Sequence, residues 1–181
     1  MKHSISPEHR KYFMTQGVIE FEEMISSEKA SDLLKLMPSA PKRDLWRSQE
    51  EVKRFALRKN WAQLVSDLTE VPRVRLAFDQ FFPITSPISE KKLTDISCIE
   101  GLLAALIIHL DEGETSGNGT FILPDQTISL KEGNYYVIAY CYKDATYTYN
   151  PDDPFTYELK HMGYIYGSEL TDRTNPTVFS A

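Results

Sequence analysis

Residues 107–125, IIHLDEGETSGNGTFILPD, decide how the chain folds. An apolar segment ends at His109, acidic and small residues follow, and a second short apolar segment runs to Pro124, which reads as strand, turn, strand. Within it His109-Leu110-Asp111 is an H-x-D triplet, the imidazole and carboxylate that open a two-histidine, one-carboxylate Fe(II) set. Four histidines and 26 acidic residues in 181 give roughly 0.6 triplets of the H-x-(D/E) kind by chance. One is found, so composition alone accounts for it. The competing reading, a strand-end histidine followed by a turn carboxylate, is favoured.

Working outward, the C-terminal side continues in short strand-like pieces at 127–130, 135–142, 145–149 and 155–166, separated by turn residues. Nine of the ten tyrosines lie after residue 130, which suits the β preference of aromatic side chains. Upstream, 102–110 is a strand, Pro83 and Pro87 open a polar loop through about Asp95, and 73–82 alternates with period two through Val74, Leu76 and Phe78. Before that the chain is mainly helical. Gly17 to Phe21 alternates like a strand, then Ser27 caps a helix with Leu33, Leu34 and Met37 that Pro38 and Pro41 end. Ser48 and Glu51 have capping-box spacing ahead of Val52, Phe55 and Ala56. Asn60 is placed to cap a helix whose Trp61, Leu64, Val65 and Leu68 share one face. Helices followed by many short strands imply an α+β fold, an antiparallel sandwich or jelly roll backed by N-terminal helices. One domain, 1–181, is expected, with 1–71 a mainly helical lead-in and 72–181 the jelly-roll core.

Bulk properties narrow the function. The 41% hydrophobic content suffices for one buried core. A net charge of −6 has the wrong sign for a broad phosphate-binding surface, so nucleic acid is not expected as the main partner. The basic residues Lys42, Arg43, Arg47, Lys53, Arg54, Arg58 and Lys59 read as a solvated helix face interrupted by Glu50 and Glu51. The N-terminal residues hold no signal-like apolar run, and Leu102 to Ile108 is too short to cross a bilayer, so no membrane association is expected. Two cysteines, Cys98 and Cys141, build no disulfide scaffold and fit a reducing cytoplasm. Cys141, in a strand, reads as a small core residue. Phosphate loops, nucleophile elbows and zinc-protease motifs are missing from the sequence.

YFMTQGVIEFEEMISSEKASDLLKLM (12–37), RVRLAFDQFF (73–82), LLAALIIHLDEGETSGNGTFILPD (102–125) and LKEGNYYVIAY (130–140) together carry a resemblance. In that order they resemble the phytanoyl-CoA dioxygenase family of Fe(II)/2-oxoglutarate oxygenases. The resemblance covers about two thirds of the chain, and it implies a double-stranded β-helix more firmly than it implies catalysis. In this register the family's H-x-D should fall near 84–100, yet ITSPISEKKLTDISCIEG (84–101) has no histidine. Its nearest imitation is Cys98-Ile99-Glu100, and a thiolate beside a carboxylate is not the usual Fe(II) set. The distal histidine is missing from 143–160, and the arginine for 2-oxoglutarate from 76–172. The resemblance thus implies a degenerate member without metal or cofactor, non-catalytic or of divergent activity, whose partner is an unknown small molecule or protein.

An alternative set runs through the literal triplet. His109 and Asp111, with His161 fifty residues on and Arg173 twelve further, repeat the order H-x-D, H, R of shorter 2-oxoglutarate oxygenases. Three such ligands would hold Fe(II) on one face, and the arginine would pair bidentately with the far carboxylate of 2-oxoglutarate. A third reading is a metal-responsive regulator of DNA, against which the charge and the lack of a helix-turn-helix weigh. Among smaller features, Asn150-Pro151-Asp152-Asp153-Pro154 reads as a proline and Asx turn ahead of a substrate loop or metal-binding pair. Tyr140, Tyr142, Tyr147, Tyr149 and Tyr157 either line a barrel mouth or coat a sheet. Lys143 and Lys160 could replace the missing arginine, with solvent exposure the stronger expectation.

Overall fold

Ser6 and Pro7 start the first helix, α1 (Pro7–Gln16). The Ser6 hydroxyl accepts from His9 N–H, His9 Nδ1 accepts from Ser6 N–H, and Pro7 stands where no donor is needed, a complete capping box. Gly17 closes the helix at φ +75°, a left-handed cap that donates to Phe13 O. The sequence reading missed this helix, whose apolar face is little more than the fully buried Phe13. The computed structural model describes residues 4–85 and 88–181.

The chain continues through β1 (Val18–Phe21), α2 (Ser27–Leu36), β2 (Lys42–Arg43), a short 3-10 helix at Leu45–Arg47, α3 (Glu50–Ala56) and α4 (Lys59–Thr69). The helices lie as expected, but their caps differ. Ser26, not Ser27, caps α2 by accepting from Lys29 N–H. The Ser48 capping box does not form, because its hydroxyl donates to Leu45 O and Gln49 holds the cap position. Asn60 lies inside α4, which begins without a side-chain cap. Burial of Trp61, Leu64, Val65 and Leu68 sets the position of α4 instead.

The strands are β3 (Arg73–Ile84), β4 (Ile88–Lys92), β5 (Ile99–His109), β6 (Gly119–Ile122), β7 (Thr127–Leu130), β8 (Gly133–Tyr147) and β9 (Thr177–Ser180). An antiparallel sheet runs β1-β6-β5-β8-β3-β2, with β9 also on β3, and β4-β7 form a second, two-stranded antiparallel sheet. The helices cover one face of the large sheet, where Leu106, Ile108, Tyr136, Ile138 and Tyr140 join Phe13, Leu33, Phe55 and Leu68. Residues one step out of phase, among them Ile107, Val137 and Cys141, face the other way, toward the small sheet. Both faces of β5 are therefore covered, which explains the uninterrupted apolar run 102–108.

Three segments depart from the sequence reading. The stretch read as a loop from 83 contains β4, which pairs with β7; Pro87 lies outside the described residues. The pieces 135–142 and 145–149 are largely one strand, bulged where Glu100 pairs Thr146 but Leu102 pairs Cys141. Gly101 serves this bulge at φ +85°, where an added Cβ would stand 3.2 Å from Ala145 Cα. Finally, 155–166 is not a strand: turns and a 3-10 helix at Glu158–Met162 fold Leu159 and Tyr164 back onto Tyr147. Pro154 and Gly163 break any ladder there, and the alternating aromatics pack as a cluster instead.

Candidate functional site

His109 is the last residue of β5, opposite Tyr135 of β8, and its ring lies against that of Tyr135 with centroids 5.0 Å apart. Its Nε2 is 3.2 Å from Asp111 Oδ2 and its Nδ1 2.8 Å from Thr115 Oγ1. Both oxygens of Asp111 are in use: Oδ2 accepts from Asn134 N–H and Oδ1 from Asn134 Nδ2, each at 2.6 Å. Gly133 makes room, since a Cβ there would stand 2.7 Å from Asp111 Oδ2. Asp111 thus ties the turn after β5 to the start of β8, as a turn carboxylate does.

The literal iron set is not assembled. β5 and β8 run antiparallel, His109 beside Tyr135 at one end and Ile99 beside Tyr147 at the other. Eleven residues of strand separate those ends by roughly 30 Å. His161 lies exposed in the 3-10 helix beyond Tyr147, and Arg173 lies exposed in the loop leading to β9. Among the described residues no group of three His, Cys, Asp or Glu side chains could hold a metal ion. Of His109, Asp111, His161 and Arg173, the first two meet, and the others lie at the far end of the sheet.

Beside the space between the sheets lies a group the sequence reading did not single out. Arg43, read as part of a solvated helix face, is instead 7% exposed on β2. Its Nη1 donates to Asp153 Oδ2 at 2.6 Å, Nε to Gln80 Oε1 at 2.9 Å and Nη2 to Ile96 O at 2.8 Å. The guanidinium lies between the rings of Phe78 and Phe155, 4.2 and 4.8 Å from their centroids. Asp153 comes from the proline and Asx turn: its Oδ1 accepts from Phe155 N–H, while Asn150 Nδ2 donates to Ser97 O. Cys98 lies beside this pair, and burial pushes its thiol up to about 12 against the pull of Arg43. Glu100 is exposed. Cys141 is fully buried, its thiol also raised to about 12 by burial, as a core residue. The tyrosines divide: Tyr140 is buried under the helices, whereas Tyr147, Tyr149, Tyr157 and Tyr166 cluster beyond the far end of β8. Lys143 is exposed, and Lys160 rests 4.1 Å above the Tyr166 ring.

Between the sheets remains a cavity of about 150 Å³. Phe82, Ile107 and Val137 of the large sheet form one wall, Ile128 and Leu130 of β7 the other, and Leu93 and Ile96 close it. Lys91 of β4 is the only polar lining residue among the described residues. It pairs with Ile128, so the two side chains leave the same face of the small sheet.

No protein-family model matches this sequence, and no curated protein does. Solved structures do match. SnoN, a non-haem alpha-ketoglutarate-dependent epimerase from nogalamycin biosynthesis, superposes with a TM-score of 0.75 at 12% identity, over 93% of this chain and 96% of its own. SnoK, a non-haem alpha-ketoglutarate-dependent carbocyclase from the same biosynthesis, gives 0.73 at 12% identity, over 96% of each chain. CT296 from Chlamydia trachomatis gives 0.58 at 22% identity, over 78% of this chain and 97% of its own. At these identities the likeness is one of fold, and the fold of this chain is that of the non-haem, alpha-ketoglutarate-dependent enzymes.

Proposed function

We propose that this protein has the double-stranded β-helix, or jelly roll, of the Fe(II)/2-oxoglutarate oxygenases, in a degenerate phytanoyl-CoA dioxygenase-like form, and works as a non-catalytic small-molecule binding protein. The observation that carries this is the content of the space between the sheets. A paired, stacked arginine lies beside it and apolar side chains line it. Neither suits Fe(II), which takes imidazole and carboxylate donors with open positions. The residues present therefore do not fit the iron and co-substrate that the fold implies. His109 and Asp111 are a pair rather than a triad, and Asp111 already accepts two hydrogen bonds.

Anaerobic titration of the apo-protein with Fe(II) and then 2-oxoglutarate tests this reading. We expect no metal-to-ligand charge-transfer band while the protein stays folded. A band lost in both His109→Ala and His161→Ala would overturn it and establish the active oxygenase. The regulator reading has its own check, a salt-dependent mobility shift with duplex DNA, which we expect to be absent.

A further inference from the structure

We infer that the cavity between the two sheets binds a small monocarboxylate with an unbranched apolar tail of about six carbons. This deepens the non-catalytic reading and rests on it, since an iron site would claim the same space. The size follows from the volume: a cavity of about 150 Å³ walled by aliphatic and aromatic side chains holds one benzene-sized body. The walls decide the tail. Ile107, Ile128 and Val137 are buried, Phe82 and Leu130 half-buried, and none offers a hydrogen bond. A polar body would lose its water without replacement, whereas a methylene gains from leaving water.

Lys91 decides the head. It lines the cavity yet is exposed, so its aliphatic stem continues the apolar wall while the ammonium stays at the mouth. Among the described residues it has no carboxylate partner, and it projects from the same face as Ile128. An anionic head at the mouth and an apolar tail inside satisfy both features at once. The single negative charge of a carboxylate suits a single ammonium better than a phosphate, for which an arginine or several donors would be expected.

The test follows the methyl resonances of Ile107, Ile128, Leu130 and Val137 in the full-length protein as butanoate, hexanoate, octanoate and hexan-1-ol are added. Hexanoate should shift these methyls saturably, about fourfold more tightly per methylene than butanoate, with the gain ending near six to eight carbons when the cavity is full. Lys91→Met, an exposed change that leaves the fold alone, should weaken hexanoate about threefold to fivefold and leave hexan-1-ol unchanged. Leu130→Phe should fill the cavity and abolish both. Failure of hexanoate and hexan-1-ol alike to move the methyls would overturn the site. Equal affinity for the two, unchanged by Lys91→Met, would overturn the assignment of the head group. Loss of the non-catalytic reading is seen separately, as a charge-transfer band in the iron titration.

Discussion

Breaking the Arg43–Asp153 pair should cost this protein a large part of its stability, and replacing both members should not. The guanidinium and carboxylate side chains are 4% and 0% exposed, so neither can turn to water when its partner is removed. In Asp153→Leu the charge of Arg43 stays buried among Phe78, Phe155 and Cys98, and Gln80 Oε1 and Ile96 O give only neutral compensation. An uncompensated buried charge of this kind costs about 3–5 kcal/mol, against the roughly 5–15 kcal/mol that holds a typical domain together. Arg43→Met strands the Asp153 carboxylate, which keeps only neutral partners, the Phe155 N–H and the Cys98 thiol, and should cost about as much. The double variant Arg43→Met/Asp153→Leu leaves no buried charge; it loses the bonds to Gln80 and Ile96, each worth about 1 kcal/mol, and gains two apolar side chains between the rings. Its cost should therefore fall well below the sum of the singles, with a coupling of about 3 kcal/mol or more. Urea unfolding followed by the fluorescence of Trp46 and Trp61 measures all four proteins. Single changes costing under about 1 kcal/mol, or costs that simply add, would show that the two buried charges do not depend on each other.

Two further perturbations address other parts of the molecule. Asp79 is fully buried beneath the helices and accepts from Tyr136 Oη at 2.5 Å and Trp46 N–H at 3.3 Å, and burial raises its carboxyl to about 7. The folded state then holds a proton that the unfolded chain releases near pH 4, so this contribution is fully present below pH 4 and is lost as pH rises toward 7. Stability from urea unfolding should fall between pH 5 and pH 8, by about 3 kcal/mol at most, and Asp79→Asn should flatten the profile; an equal slope in both proteins would contradict the assignment. Gly117, at φ +79°, lies so that an added Cβ would stand 2.2 Å from Ile25 O. Gly117→Ala should lose at least about 2 kcal/mol, read as a drop in melting temperature, while unchanged melting would mean that the turn after β5 can move away from Ile25.

Local spacing made most elements legible. Period two in 73–82, the apolar run of β5, the Gly-Asn-Gly turn and the buried face of α4 were all readable, because each depends on residues within a few positions of one another. Where several local partners compete, local rules misplaced the detail, as at Ser48, whose hydroxyl turns back to Leu45 O rather than capping α3. The aromatics of 155–166 have a strand's alternation but no neighbouring strand to pair with, so they pack on Tyr147.

The candidate site depended on the tertiary structure. From sequence, His109 and Asp111 were the visible pair, and the structure brings them together while leaving His161 and Arg173 elsewhere. Arg43 looked like one of seven surface cations, because nothing near it in sequence differs from its solvated neighbours. Its carboxylate partner is 110 residues away and one of its two aromatic neighbours, Phe155, lies on the same distant turn. Sequence by itself determined most of the strands and helices, since these follow from residue type and short spacing. The buried cation and the apolar cavity were decided only by the fold, because burial and long-range pairing arise when distant segments close around the same space.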